Sequence, residues 1–264
     1  NKQEHESSMG EFIAVTEMDE AIEATPWQEP RRVRIGRGWG WIYGAFGLFN
    51  RGMGVSVGIC LFSMVLSIGS GLVPGGGLLY QLFSMVFAAG LMSVAHRAHT
   101  MGYISFNDYF EGFRQQMGQL VLTAVIYLAL ILGMVFLVVI AALVTIGFEH
   151  LMELEAVIES DPTMALQILL WVLVGLALLI PLMMAALFAP ALVFFHQVAP
   201  WEALKLSLRG CWRNFWPLTW WGILATLLLL LGTLMLLVGL LVVVPVTGYS
   251  LYVAYRDIFL HDEI

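Results

Sequence analysis

From Gly118 to Gly147 the chain runs for 30 residues without a charged side chain. A bilayer core is crossed by about 20 apolar residues in a helix rising 1.5 Å per residue. In lipid no water satisfies the backbone, so a run of this kind forms a helix whose hydrogen bonds close within itself. Further apolar runs cover 52–73, 76–95 and 165–195, and 218–255 is long enough for two spans with a turn near Gly232-Thr233. Pro74-Gly75 turns the first pair. The expected fold is therefore all-α: a polytopic membrane protein of about six transmembrane helices in three hairpins. The span 118–147 exceeds what a bilayer needs and should tilt or project. Pro181 and Pro190 should kink the fourth span.

Charge placement agrees with six spans. Eight of the nineteen acids precede residue 30, and five more (Glu149, Glu153, Glu155, Glu159 and Asp161) share one loop, so the net charge of −7 hides a strong asymmetry. All twelve basic residues fall on the side of the termini: Lys2, Arg31, Arg32, Arg34, Arg37, Arg51, Arg97, Arg114, Lys205, Arg209, Arg213 and Arg256. The bias of Lys and Arg toward cytoplasmic loops puts both termini in the cytoplasm. A single span over 218–255 would strand Arg256 outside.

Each hairpin is preceded by a segment that reads as an amphipathic helix in the headgroup plane. The first is GWGWIYGAFGLFNR, residues 38–51, with Trp39, Trp41 and Tyr43 at interface depth. The second lies in HRAHTMGYISFNDYFEGFRQQ, where Ser105 or Asn107 caps a helix carrying Tyr109, Phe110 and Phe113. In the third, 201–216, a 100° periodicity gathers Glu202, Lys205, Arg209 and Arg213 on one stripe, opposite Trp201, Leu204, Leu208, Cys211 and Phe215. The alternative for this third helix is a short connector packed under the bundle. Each segment places an aromatic and an Arg before a span (Phe49 and Arg51, Phe113 and Arg114, Trp212 and Arg213), which duplication or independent interface anchoring would both produce. Gly36, Gly40 and Gly44, and likewise Gly54 and Gly58, have the four-residue spacing that lets helices approach closely.

Three regions follow: an acidic cytoplasmic tail, 1–37, ending in a basic juxtamembrane cluster; a transmembrane domain, 38–260; and a short cytoplasmic end, 261–264. The tail reads as a solvated segment, with a helix that folds on a partner as the alternative. It lacks the basic and apolar regions of a signal peptide.

The motifs FAPALV (188–193), His196, Pro200, Arg213-Asn214, Trp216-Pro217 and the closing Tyr255-Arg256-Asp257-Ile258-Phe259, with the GWGWIYGAFGLFNR opening, resemble a family of proteobacterial multi-pass inner-membrane proteins, mostly known as hypothetical transmembrane proteins. Members often carry Pro after the Arg where this chain has Gly52-Met53. The resemblance covers about residues 36–260. More distantly, the chain is similar to the membrane domain attached to some glycerophosphodiester phosphodiesterases, without the catalytic domain. The resemblance implies a compact helical bundle in a bacterial inner membrane, and it carries no activity.

Pumps and ion-coupled transporters place acids, Lys, Arg or His within the membrane, and no span interior here contains a charged residue. Gln81 and scattered Ser, Thr and Tyr are their polar groups, for which helix–helix hydrogen bonding is the ordinary role. His96, His99 and His196 sit at similar depth and are the weak candidates for Zn²⁺ or haem ligands, against a plain role as interfacial histidines. Cys60 and Cys211 match no redox or metal spacing and read as packing residues. Asp108, Glu111, Glu202 and Asp257 read as solvated partners of nearby cations. A Glu149/Glu153 cation site is weaker than an exposed acidic loop.

The leading expectation is a non-enzymatic accessory or scaffold protein of the inner membrane that binds anionic lipid and a membrane-protein partner, or a second copy, without a cofactor or nucleic acid. Arg31, Arg32, Arg34, Arg37, Trp39, Trp41, Arg51, Arg114, Trp201, Lys205, Arg209, Arg213, Asn214 and Arg256 would form that interface. The alternative is a channel or transporter for lipid-like or apolar solutes, moving at the Pro181/Pro190 kink; a haem or metal protein comes third.

Overall fold

The computed structural model describes residues 27–147, 162–235 and 238–262. Among the described residues there is no strand. Five helical stretches are long and apolar enough to cross a membrane: Met53–Leu72, Gly76–Met101, Met117–Ile146, Pro162–His196 and Phe215–Leu234. The acidic tail up to residue 26 and the acidic loop 149–161, with their candidate helix and cation site, lie outside the described residues.

In chain order, α1 is Arg37–Asn50, α2 Met53–Leu72, α3 Gly76–Met101, α4 Glu111–Arg114, α5 Met117–Ile146, α6 Pro162–Leu187, α7 Ala189–His196, α8 Pro200–Arg213, α9 Phe215–Leu234 and α10 Leu240–Tyr255. A 3₁₀ turn, Phe106–Phe110, leads into α4, and a π turn, Arg256–Leu260, closes α10. Gly75, at φ 78°, makes the tight turn between α2 and α3. Trp171 Nε1 donates to Thr145 Oγ1 at 2.8 Å across the antiparallel pair α5/α6. Trp221 Nε1 reaches Ser250 Oγ at 2.8 Å across α9/α10. The last apolar stretch thus divides into two antiparallel helices, and it does so after Leu234, later than Gly232-Thr233.

The spans expose apolar side chains along their length, among them Phe136 at 64%, Val144 at 80% and Leu234 at 79%. In water such a surface would aggregate; hydrocarbon is the solvent it matches. The well-buried core instead gathers where the charged segments meet the helix ends, around Trp41, Phe188, Leu192, Tyr252, Tyr255 and Phe259.

The three segments that precede the hairpins each pack on helices of the bundle. The buried positions of α1 (Gly38, Trp41, Ile42, Ala45, Leu48 and Phe49) recur at helical spacing and pack on α9 and α10. The 3₁₀ turn and α4 pack on α2 and α3, and α8 packs on α5 and α6. Each segment leans on the hairpin before it, and α1 leans on the last, so the order closes on itself.

The second segment shows how deep this goes. Ser105 caps it, its Oγ accepting from Asn107 N at 3.4 Å while Asp108 accepts from Ser105 N at 2.8 Å. The chain then folds back along α3, with Phe106, Tyr109 and Phe110 packed against Phe62 of α2. A Cβ on Gly90 would stand 1.9 Å from the Tyr109 carbonyl oxygen, and one on Gly112 2.6 Å from that of Val86. Gly90 lies eleven residues before the end of α3, about 16 Å at 1.5 Å per residue, so this segment is inserted beside the hairpin rather than laid beneath it.

At Gly36, Gly40 and Gly54, by contrast, a Cβ would meet nothing within 4 Å, and at Gly58 it would only touch the Phe106 ring at 4.0 Å. At these four positions the glycine spacing does not mark close packing within the chain.

The two prolines take different places. Pro181 lies inside α6, which stays helical through it. The break falls at Phe188, and Pro190 stands in the first turn of α7, where its missing N–H costs nothing. Ser207 of α8 occupies the gap: its Oγ accepts from Phe188 N at 2.9 Å and donates to the Met184 carbonyl at 2.7 Å. The two backbone groups that an unbroken helix would pair are each satisfied by one inserted hydroxyl, an identifiable cause for the break.

Candidate functional site

A buried carboxylate must be paired and hydrogen-bonded or it destabilises the fold. Asp257, on the π turn, is 1% exposed. Its carboxylate accepts from Arg37 Nε at 2.7 Å, from Trp41 Nε1 at 2.8 Å and from the Arg31 guanidinium. Arg31 Nε also donates to the Asp257 backbone carbonyl at 2.7 Å. Burial alone would raise the Asp257 pKa; the hydrogen bonds from Arg37, Trp41 and Arg31 outweigh it and hold the group below its ordinary 3.8. Asp257 and Asp108, which pairs with Arg97 at 3.3 Å, are thus buried groups rather than solvated ones. Glu111 and Glu202 keep the local pairing expected, with Arg114 at 3.4 Å and Lys205 at 2.5 Å.

Asn214, where α8 meets α9, is fully buried. Its Oδ1 accepts from Val33 N at 2.8 Å, and its Nδ2 donates to the carbonyls of Arg31 at 2.8 Å and Gly210 at 3.0 Å. One amide serves the approaching backbone as a neighbouring strand would. Gln28 N and Arg31 N donate to Phe259 O at 3.0 Å and Ile258 O at 2.9 Å. The extended segment before α1 is therefore tied to both the α8/α9 corner and the π turn. Arg31 and Val33 turn inward, and Arg32 and Arg34 turn out.

These contacts revise the interface expected from sequence. Trp41 and Asn214 are fully buried and internal, and Arg31 and Arg37 are half-buried partners of Asp257. Arg51 donates to the carbonyls of Ala98 at 2.5 Å and His99 at 3.0 Å near the end of α3. Arg256 meets His99 Nδ1 at 2.9 Å, Tyr252 Oη at 3.1 Å and the Asp262 carboxylate. On α8, Leu204 and Cys211 are buried as expected, but Trp201 on α8 and Phe215 at the start of α9, assigned to the same face, are 50% and 41% exposed. Ala203, Leu206, Ser207 and Gly210 complete the buried face instead. Burial pushes the Cys211 thiol up to about 12, fitting a packing role.

The outward set is what remains: Arg32, Arg34, Trp39, Arg114, Trp201, Lys205, Arg209 and Arg213. Lys205 Nζ lies 5.9 Å from the Trp201 ring centroid, within cation–π range. Arg32, Arg34, Trp212, Arg213 and Trp216 border a cleft of about 570 Å³. Trp212 and Trp216 are 69% and 63% exposed. Arg213 has one distant acid, Glu29 at 3.9 Å, and Arg32 and Arg34 pair with no carboxylate among the described residues.

The three histidines take separate partners. His96 Nδ1 meets Tyr252 Oη at 2.8 Å, His196 meets the Tyr255 hydroxyl, and His99 meets Arg256. Among the described residues no three His, Cys, Asp or Glu side chains gather in a metal-binding group, so the chain does not assemble the His96/His99/His196 site.

A second cavity, about 640 Å³, opens between α2, α3 and α10. It is apolar apart from Ser63, Ser67, Ser84, Tyr80 and Tyr109, and the Tyr109 and Ser63 hydroxyls lie 2.8 Å apart. Pro181 and Pro190 do not border it.

Asp257 and Asn214 lie in the Tyr255–Phe259 and Arg213-Asn214 motifs, yet their roles needed partners over 180 residues away. No protein-family model, curated protein or solved structure matches the chain.

Proposed function

We propose that the chain is a non-enzymatic accessory or scaffold protein of a bacterial inner membrane, with α10 as a sixth span and both termini in the cytoplasm. Its charged end binds anionic lipid, and it holds a membrane-protein partner or a second copy. The observation that carries this reading is the split among its cations. Arg31, Arg37, Arg51, Arg97 and Arg256 are engaged by partners within the fold, whereas Arg32 and Arg34, which pair with no carboxylate among the described residues, and Arg213, whose one recorded acid is Glu29 at 3.9 Å, face outward among exposed tryptophans. Indole rings beside exposed guanidinium groups match a negatively charged headgroup layer, where each cation contributes about 1 kcal/mol. The acidic tail is the soluble contact for the partner.

The alternative, a path for lipid-like or apolar solutes, is favoured by the cavity between α2, α3 and α10, whose few hydroxyls would orient a mostly apolar guest. Mild extraction followed by native mass spectrometry separates the two. The accessory reading expects anionic over zwitterionic lipid and a stoichiometric protein companion or a defined oligomer. A lone monomer without lipid preference would overturn it, and an apolar guest lost on filling the cavity with Ser63→Phe would support the alternative.

A further inference from the structure

We infer that the cleft between the 32–34 segment and the α8/α9 corner is a discrete site for one anionic glycerophospholipid, its phosphate held by Arg32, Arg34 and Arg213. This rests on the lipid-binding half of the proposed function and gives it an address.

The site is built rather than fortuitous. Asn214 fixes the backbone on both sides of Arg32 through Arg31 O and Val33 N, each at 2.8 Å, and thereby sets Arg32 and Arg34 outward. The same Asn214 directly follows Arg213, so one buried amide ties together the two backbone segments that carry the three arginines. The frame is stiff: a Cβ on Gly38 would stand 2.9 Å from Pro217 O and Trp221 N, so the start of α1 lies hard against α9. Guanidinium groups bind phosphate oxygens in pairs, which lysines do not.

The cleft's position identifies a lipid rather than a soluble phosphate. It stands over the first turn of α9, and Trp216, Trp220, Ile223, Leu227, Leu230 and Leu234 are exposed below it. Their spacings of three and four place them on one stripe, running from the cleft down the helix. A phosphate between the arginines would leave its acyl chains along that stripe, with Trp212 and Trp216 beside the glycerol.

The test measures apparent affinity for the first phosphatidylglycerol bound to the full chain in detergent, by native mass spectrometry, with phosphatidylcholine as the reference. The triple variant Arg32→Gln, Arg34→Gln, Arg213→Gln should bind at least about tenfold more weakly. A variant removing three charges elsewhere, Arg114→Gln, Lys205→Gln, Arg209→Gln, should stay within about twofold. Equal weakening of both would overturn the discrete site while leaving general anionic-lipid binding standing. Phosphatidylglycerol binding no better than phosphatidylcholine in the unaltered chain would overturn both. Displacement of the lipid by millimolar glycerol phosphate would overturn the assignment to lipid. Should the triple variant unfold, Arg34→Gln alone carries the test, with an expected loss of about threefold.

Discussion

Trp41 Nε1 donates to the Asp257 carboxylate at 2.8 Å across 216 positions of sequence, joining the first helix to the final turn. Asp257 is 1% exposed, so Asp257→Asn gives Arg31 and Arg37 a neutral amide with one acceptor oxygen in place of their shared carboxylate. Losing one partner of a buried pair costs about 3–5 kcal/mol, and the partial exposure of both arginines puts Asp257→Asn at the lower end. Trp41→Phe keeps the ring and loses one hydrogen bond to a charged group, about 1.5–3 kcal/mol. Thermal unfolding in detergent should rank Asp257→Asn at least as damaging as Trp41→Phe; an unchanged midpoint for Asp257→Asn would contradict the hub.

The same carboxylate makes the extended segment before α1 acid-sensitive. The folded-state pKa of Asp257 lies below its ordinary 3.8. A group depressed by folding contributes stability above its unfolded pKa and loses it as pH falls through the folded value. From neutrality down to about pH 4 the contribution should therefore stay constant. Below that, hydrogen exchange at Gln28 and Arg31, whose amides bond to the π turn, should accelerate. In Asp257→Asn this acid step should vanish; a step that survives would assign it to another carboxylate.

Two classes of glycine give opposite expectations. Gly90→Ala places a methyl carbon 1.9 Å from a backbone carbonyl that cannot turn aside, and should cost at least the roughly 1–3 kcal/mol typical of overpacking. Gly40→Ala and Gly54→Ala meet nothing within 4 Å and should be neutral or stabilise by up to about 1 kcal/mol through helix propensity. Comparing the three unfolding midpoints decides it, and a harmless Gly90→Ala would mean that the 3₁₀ turn is not seated against α3.

This contrast marks what the sequence could convey. Span positions follow from local hydropathy, so α2, α3, α5, α6 and α9 were legible to within a few residues at most of their ends. The cation bias was legible for the same reason, since it needs only order along the chain. Which cations stay outside was not. Arg31 and Arg32 are adjacent and chemically identical, and long-range contacts, among them those to Asn214, Asp257 and Ile258, turn one inward. The Gly36, Gly40 and Gly44 spacing suggested close approach to a neighbouring helix, whereas close approaches arise at Gly90 and Gly112, where a short segment folds back along a hairpin, at Gly38 against α9, and at Gly232 and Gly239 between α9 and α10. The break at Phe188 was expected near the right place from Pro181 and Pro190, but its hydrogen-bonding cause is Ser207, on another helix.

The sixth span is the remaining structural step of the functional reading. Helix α10 has 16 residues, about 24 Å at 1.5 Å per residue, several ångströms short of an average bilayer core. Local thinning accommodates such a mismatch at a fraction of a kcal/mol per ångström. Two contacts hold α10 antiparallel to α9: Trp221 to Ser250 at 2.8 Å, and the close approach of Gly232 to Gly239, where a Cβ on Gly239 would stand 2.6 Å from the Gly232 Cα. If α9 crosses, α10 must return, bringing Arg256 back to the side of Arg213. Single cysteines at Met235 and Asp262, in a chain whose Cys60 and Cys211 are replaced by Ser, test this with a membrane-impermeant maleimide on intact cells. Position 235 should label from outside, and position 262 only after permeabilisation. Labelling of both from outside would remove α10 from the membrane and place Arg256 against the charge bias from which six spans were inferred.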